Sequence, residues 1–324
     1  MAEAIVIRKT GGPEVLKLEA VEVGRPGPGE IRIRQTAIGV NFHDVYVRSG
    51  LYQTLGLPGI PGIEAVGVVE AIGEGVRGLV PGDRVAYLTQ GYGGYASERL
   101  LAADRAVRLP EQVDDRLAAA VFLKGLTVEM LVRRVHPVRP GEVVLVHAAA
   151  GGVGQMLSRW ARQLGATVIG TVGSQAKART AGEAGCEHVI LYRQEDFVAR
   201  VRDITRGRGV DVAYDAVGKD TFLGSLDCLA LRGHLVNFGQ ASGPVEPLAV
   251  SRLSAKSNTL SRPMIFHYVS ERAELEAMSA ALFDALAAGW VHAGAVREIP
   301  LREAAQAHRM LESRDASGPL LLMP

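Results

Sequence analysis

From Glu142 onward the chain alternates strand-length apolar runs with amphipathic helical ones, and that rhythm leaves it few folds to choose from. EVVLVH, ATVIGTV, HVILY, VDVAYDAVG and HLVNFG are the short apolar runs. GGVGQMLSRWARQLG, SQAKARTAGEAG, EDFVARVRDITRG and KDTFLGSLDCLALRG separate them and carry apolar residues at helical spacing. A strand, a helix and a further strand close as a right-handed βαβ unit around a parallel sheet. Repeated in series, the pattern predicts a doubly wound α/β domain.

The rest of the chain has a different rhythm. Before Asp115, AIVIR, GEIRIRQTAIGV, EAVGVVEAIG and DRVAYL are divided by GG, GRPGPG, LPGIPG and VPGD, a β-rich pattern that predicts a partly open barrel. RLAAAVFLKGLTVEMLVRRV then has helical spacing and HPVRPG ends it. Beyond the α/β region, SRLSAKSNTLSRPM holds room for one more strand, ERAELEAMSAALFDALAAGWV and LREAAQAHRMLES read as helices, and GPLLLMP as a final strand. That last strand is apolar enough to need a sheet partner, so the tail is expected to return to the first domain.

A length of 324 residues exceeds one ordinary compact domain. The 36 Lys and Arg against 35 Asp and Glu leave a net charge of +1, which provides no overall field for nucleic acid or anionic membrane. The N-terminal MAEAIVIRKTGG lacks the apolar core of an export signal, and charge or glycine breaks every apolar run before membrane-spanning length. Cys186 and Cys228 are too few for a disulfide framework or a four-cysteine zinc site. They read as packing residues in a reducing cytoplasm.

The strand EVVLVH runs into HAAAGGVG and then into a helix. In a dinucleotide-binding turn of this kind one glycine makes the tight turn, a second lets the backbone approach a pyrophosphate, and a third allows close helix packing. Ala149, Gly151 and Gly154 hold those places, with Gly152 and Val153 between the last two. The N–H groups of the helix's first turn and the positive end of its dipole would face the pyrophosphate. About twenty residues on, users of NAD place a carboxylate for the ribose 2′-hydroxyl. Here the stretch is TVGSQAKAR: Gly173 and Ser174 take that place and Lys177 and Arg179 follow. With no carboxylate to repel a 2′-phosphate and cations to pair with it, the expected cofactor is NADPH.

With GGPEVL, AIGVNFHDVYVRSGLY, PGIEAVGVV, PGDRV, FLKGLTV, VLVHAAAGGVG, YDAVG and LESRDASGPLLL in view, the chain resembles the medium-chain dehydrogenase/reductase superfamily. Within it, the resemblance is to the zinc-independent NADPH:quinone oxidoreductases related to zeta-crystallin. It spans essentially the whole chain and implies a GroES-like β-rich catalytic domain at residues 1–124, a Rossmann domain at 125–262 and a C-terminal return at 263–324. Zinc alcohol dehydrogenases of the superfamily place a Cys ligand where this chain has Asn41, and Gly-His-Glu where it has Gly62, Ile63 and Glu64. An amide and an alkyl group in place of a thiolate and an imidazole leave no zinc site, so no metal is expected.

The activity that the resemblance implies is reduction of a quinone by hydride, or one-electron, transfer from NADPH. An electron-poor quinone takes hydride readily and needs mainly positioning. By resemblance, Asn41 and Tyr46 lie near the nicotinamide ribose and ring, and Tyr52 lines the acceptor pocket and offers a phenolic proton. His43 and Asp44 are structural in this reading, and Glu64 is a hydrogen-bonding residue. Thr127 stands beside the nicotinamide, Tyr192 near the adenine-ribose phosphate, and Val217, Phe238, Gly239 and Gln240 along the carboxyl rim of the sheet, where such folds bind ligand. Gly318 closes over the nicotinamide.

Two other functions compete. A reductase of enones, 2-alkenals or enoyl-thioesters would use the same fold and cofactor. An NADPH-binding or RNA-binding protein without turnover is the reading of another class, against which stand the balanced charge and the lack of a basic stripe. By analogy with the family, the chain is expected to form a homodimer through the edge of the Rossmann sheet before Arg262.

Overall fold

The computed structural model describes residues 1–313 and 318–324. In chain order the first elements are β1 (Ala2–Val6), β2 (Lys17–Val21), β3 (Glu30–Gly39), α1 (Phe42–Ser49), β4 (Glu64–Ile72), β5 (Arg84–Leu88), β6 (Glu98–Ala102) and β7 (Ala106–Arg108). Helix α2 (Asp115–Glu129) follows and runs into a π-helical turn at Met130–Val135. The α/β region holds β8 (Val143–Val146), α3 (Gly152–Gln163), β9 (Thr167–Val172), α4 (Gln175–Glu183), β10 (His188–Leu191) and α5 (Phe197–Ile204). It continues with β11 (Val210–Asp215), α6 (Phe222–Asp227), β12 (Leu229–Asn237) and β13 (Thr259–Ser261). The tail holds α7 (Ile265–Tyr268), α8 (Arg272–Ala287), β14 (Arg297–Pro300), α9 (Ala304–Glu312) and β15 (Leu320–Met323).

The chain divides into two compact units, one of residues 1–123, 269–283 and 293–324, the other of 124–268 and 284–292. In the first, the ten residues of β3 are the hub. They pair antiparallel with β4, β6 and β15, in a sheet of order β14-β15-β3-β4-β5-β7. The alternation in EIRIR explains this, since Ile31 and Ile33 enter the core while Arg32 and Arg34 face out to Glu98 and Glu70. The core gathers Ile5, Ile38, Val69, Tyr87, Tyr95, Leu320 and Leu322. The final strand thus finds its partner in β3, at Leu321↔Gly39 and Leu322↔Ile38.

The second unit is the doubly wound sheet. Its strand order is β10-β9-β8-β11-β12-β13, every pairing parallel. The order reverses beside β8, so the loops after β8 and β11 stand at the switch point, where such sheets take ligands. Helix α3 buries Met156, Leu157, Trp160 and Ala161, one helical face, and α5 buries Val201. KDTFLGSLDCLALRG departs from its helical reading: the helix ends at Asp227 and LALRG already belongs to β12. Tertiary pairing overrides local propensity there, because Leu229 pairs with Val210, a bulge follows, and Arg232 turns at φ 58°.

Candidate active site

NFHDVYVRSGLY, which carries the candidate residues Asn41, Tyr46 and Tyr52, lies in the first unit. Its helix α1 starts at Asn41, whose backbone N–H donates to Asp44 Oδ2 at 2.9 Å, and ends on Gly50 in the left-handed region at φ 86°. The Asn41 amide is buried and donates to Glu64 Oε1 at 2.7 Å, while Leu123 N–H donates to Glu64 Oε2 at 2.9 Å. Glu64 is therefore a hydrogen-bonded carboxylate at the start of β4. A Cβ on Gly39 would stand 2.2 Å from Glu64 Oε1, so glycine makes room for it.

Four rings cluster against α1. Tyr46 and Tyr52 meet edge to face at 5.1 Å between centroids, and His43 meets Tyr52 edge to face at 5.5 Å. Tyr92 stacks on His43 at 6.0 Å, its hydroxyl 3.3 Å from His43 Nε2 and hydrogen-bonded to Thr54 Oγ1. Burial pushes the His43 pKa down to about 4, so its imidazole is neutral at pH 7.

Behind these rings runs a buried strut. Arg48 Nη1 can only donate, so His308 Nδ1, 3.3 Å away, accepts and its Nε2 carries the proton. Nε2 then donates to the Tyr95 hydroxyl at 3.0 Å, and that hydroxyl donates to Asp44 Oδ2 at 3.0 Å. Arg48 also pairs with Glu312 through both terminal guanidinium nitrogens, Nη1 and Nη2, at 2.9 and 2.7 Å. Burial, with the Arg48 charge adding to it, pushes His308 down to about 3. Asp44 anchors the start of α1, and His43 packs in the ring cluster and meets the Tyr92 hydroxyl.

The second unit supplies the dinucleotide turn. Ala148 takes the left-handed conformation at φ 51°, and a Cβ on Gly154 would stand 2.3 Å from Ala148 O, so helix α3 can approach the turn only with glycine there. Gly151 caps α3 without a side chain, which leaves its first-turn N–H groups to a ligand. Gly173 and Ser174 follow β9, the Ser174 hydroxyl accepts from Lys177 N–H at 3.4 Å as the cap of α4, and Lys177 is half-buried. A Cβ on Gly173 would lie 2.8 Å from the Tyr192 hydroxyl, so Tyr192 after β10 stands beside it. Val217 and Gln240 belong to abutting loops: Ser242 N–H donates to Val217 O at 2.8 Å, and a Cβ on Gly239 would stand 2.5 Å from Ala216 O. Phe238 continues β12 into this rim, its N–H donating to Asp215 O at 2.9 Å.

Gly151, Gly152 and Val153 thus follow β8, Gly173, Ser174, Lys177 and Tyr192 follow the next strands β9 and β10, and Val217, Phe238, Gly239 and Gln240 follow β11 and β12, all at the carboxyl ends of one parallel sheet. Thr127 sits on α2 in the same unit. Asn41, Tyr46, Tyr52 and Gly318 belong to the other unit, Gly318 pressed against Ala295, where a Cβ would stand 2.0 Å from the carbonyl oxygen.

Two buried polar features beside the candidate residues escaped the sequence reading. Lys124, buried on α2, lays its stem beside the turn, where a Cβ on Gly152 would stand 3.2 Å from its Cδ. A lone charge inside the apolar run AAAVFLKGLTV was the signal. Asp215 organises the loop after β11, accepting from Val217 N–H at 2.8 Å, Gly218 N–H at 3.0 Å and the Thr221 hydroxyl. Its chain of bonds continues through Ser225 to His147, whose other nitrogen meets Thr171 Oγ1 at 2.8 Å. Burial lowers the His147 pKa and keeps that ring neutral in the core.

These residues fit NADPH. An uncapped helix N-terminus meets a pyrophosphate, the glycines leave room for it, and GSQAKAR offers a cation and no carboxylate to a 2′-phosphate. Among the described residues, no three His, Cys, Asp or Glu side chains converge as metal ligands.

Residues 27–111 match the family model for the alcohol dehydrogenase GroES-like domain, and residues 152–283 that for the zinc-binding dehydrogenases. The chain is 44% identical to quinone oxidoreductase 1 of Escherichia coli K12, over 100% of both chains. It is 45% identical to a 2-haloacrylate reductase of a Burkholderia species, over 100% of this chain and 99% of the relative. The crystal structure of an Escherichia coli quinone oxidoreductase complexed with NADPH superposes with a TM-score of 0.97 at 44% identity, covering 100% of each chain.

Proposed function

The chain belongs to the medium-chain dehydrogenase/reductase superfamily, among its NADPH:quinone oxidoreductases, and from that premise we propose how its residues share the work. The protein is an oxidoreductase that uses NADPH to reduce quinones. The observation that carries this function is the dinucleotide turn followed by Gly173 and Ser174 in place of a carboxylate, with Lys177 just beyond, on a chain alike over its whole length to quinone oxidoreductases.

Residues 125–262 hold the cofactor, and residues 1–124 with 263–324 hold the acceptor. Gly151, Gly152 and Val153 present backbone N–H groups to the pyrophosphate. Gly173, Ser174, Lys177 and Tyr192 enclose the 2′-phosphate, where Lys177 pairs with it. Val217, Phe238, Gly239 and Gln240 line the rim, and Thr127, Asn41, Tyr46 and Gly318 hold the nicotinamide end. When bound, NADPH supplies two electrons and a hydrogen from nicotinamide C4, so the acceptor needs one proton more. Tyr46 and Tyr52 orient the acceptor ring, and the Tyr52 hydroxyl gives that proton.

The 45% identity to a 2-haloacrylate reductase favours a second reading, in which the acceptor is an electron-poor alkene. Both readings share Tyr52 as donor. No described helix is long and apolar enough to cross a membrane. We place the protein in the cytoplasm, as a homodimer paired through the edge strand β13, with no nucleic-acid partner.

The test follows loss of reduced-nicotinamide absorbance with 1,4-benzoquinone, an ortho-quinone or a 2-alkenal, with and without chelator, using NADPH or NADH. Rapid, chelator-insensitive quinone reduction with NADPH is expected. Lys177→Glu should weaken NADPH binding by about tenfold or more, the loss of one charge-assisted contact, and leave NADH nearly unchanged. Turnover with the alkenal alone would move the assignment to the second reading, and an equal preference for NADH would remove Lys177 from its role.

A further inference from the structure

Tyr92 is a non-glycine residue in the left-handed backbone region, at φ 53° within GYGGY. Such a conformation is disfavoured for a bulky side chain and persists only where its surroundings impose it, most often at functional sites. Here the surroundings are visible. Arg99 Nη1 donates to the Tyr92 carbonyl oxygen, Gly93 N–H donates to Ile60 O at 2.8 Å, and Gly93 itself turns at φ 84°. The backbone is pinned so that the phenol of Tyr92 reaches between Thr54 and His43.

The result is a chain of groups that each both give and accept a proton. Thr54 is exposed, Tyr92 is buried, and His43 is half-buried among the rings. Thr54 Oγ1 bonds the Tyr92 hydroxyl, which lies 3.3 Å from His43 Nε2. The His43 ring in turn stands edge to face against Tyr52.

We propose that Thr54, Tyr92 and His43 form a relay that carries a proton from bulk water to Tyr52 during acceptor reduction. The inference rests on Tyr52 being the proton donor. The balance is one proton for each acceptor reduced. Tyr52 breaks its O–H bond as the acceptor gains a proton. Its phenolate takes a proton from His43 Nδ1 through one bridging water, His43 Nε2 takes the Tyr92 proton, Tyr92 takes that of Thr54, and Thr54 takes one from bulk water. Each group ends with the number of protons it began with, His43 as its Nε2–H tautomer, which returns to Nδ1–H before the next turnover, and the electrons come only from NADPH. Because burial disfavours the imidazolium, the ring must gain and lose its protons together, as a hydrogen-bonded chain allows. His43, Tyr92 and Thr54 act through Tyr52 and are positioning residues.

The test compares the full-length protein with Thr54→Val, Tyr92→Phe, His43→Asn and Tyr52→Phe, saturated with NADPH and reducing a 2-alkenal and a benzoquinone. It reads kcat in H2O and in D2O, rescue by added imidazole buffer, and the Kd for NADPH. Tyr92→Phe and Thr54→Val should lower kcat by about ten- to a hundredfold, up to the lower end of a general acid's roughly 10²–10⁴-fold contribution, and raise the solvent isotope effect. Small buffer acids should restore part of the rate, and the Kd for NADPH should not move. Thr54 is exposed, so its variant keeps the test decisive if Tyr92→Phe folds poorly. A wild-type kcat and isotope effect in both variants would overturn the relay while leaving Tyr52 as donor. A loss that no buffer acid rescues, with NADPH affinity falling in parallel, would show a structural role only and overturn it too. A Tyr52→Phe variant as fast as the wild type would instead overturn the donor assignment and the relay with it.

Discussion

Alanine stands at the first small position of the dinucleotide turn because the residue facing it gave up its own side chain. Ala149 is fully buried, and a Cβ on Gly170, in β9, would stand 2.8 Å from the Ala149 Cβ and 2.6 Å from Cys186 Sγ. The small space that a turn glycine usually provides is thus supplied from across the sheet, and Ala148 takes up the left-handed turn itself. Gly170→Ala should destabilise the protein by about 1–3 kcal/mol through overpacking, and Ala149→Gly added to it should return part of that loss. Urea denaturation of the two single variants and the double measures the coupling, and strict additivity would show that the two positions do not share one space. The same logic separates the turn's glycines: Gly154 is required by backbone approach, while Gly152 makes room for the stem of Lys124.

At the scale of elements, α1 is held from both ends and from behind. Asp44 caps its start, Gly50 ends it, and α9 reaches it through His308 and Arg48. His308 must remain neutral to accept from Arg48, so protonation and folding compete. Its folded pKa, about 3, lies below the unfolded value near 6.5, so the unfolded chain binds more protons between these limits. The stability that the neutral ring contributes is complete above about pH 6.5 and is lost as pH falls toward 3, by up to about 1.4 kcal/mol for each unit. Urea midpoints measured from pH 7 to pH 4 should therefore fall in the wild type and fall less steeply in His308→Gln, whatever the variant's stability at pH 7. Equal slopes would mean that His308 does not govern this acid sensitivity. Helix α6 shows the opposite dependence: its sequence continues as helix to Gly233, but pairing with β11 claims the residues from Leu229 onward.

For the whole molecule, β13 leaves the parallel sheet with a short edge strand, and edges that stay open invite pairing with another chain. Thr259→Lys, at an exposed position of that edge, would bring like charges together if two copies meet there, and sedimentation velocity should then show a monomer under conditions where the wild type sediments as the proposed dimer. An unchanged dimer would place the contact elsewhere. The sequence by itself determined the doubly wound sheet, because period and length of apolar runs are local properties that only a βαβ order satisfies. It determined the cofactor turn and the absence of a carboxylate after β9 for the same reason, each being a short contiguous stretch. The return of GPLLLMP to a sheet partner was legible as a need, and the partner strand β3 was not. Only the tertiary structure decided the tautomer of His308, the engagement of Asn41 by Glu64, the burial of Lys124 beside Gly152, and the joining of Thr54 to His43 through Tyr92. Each of these brings together residues far apart in the chain, and no pattern of spacing records which buried polar groups will satisfy one another.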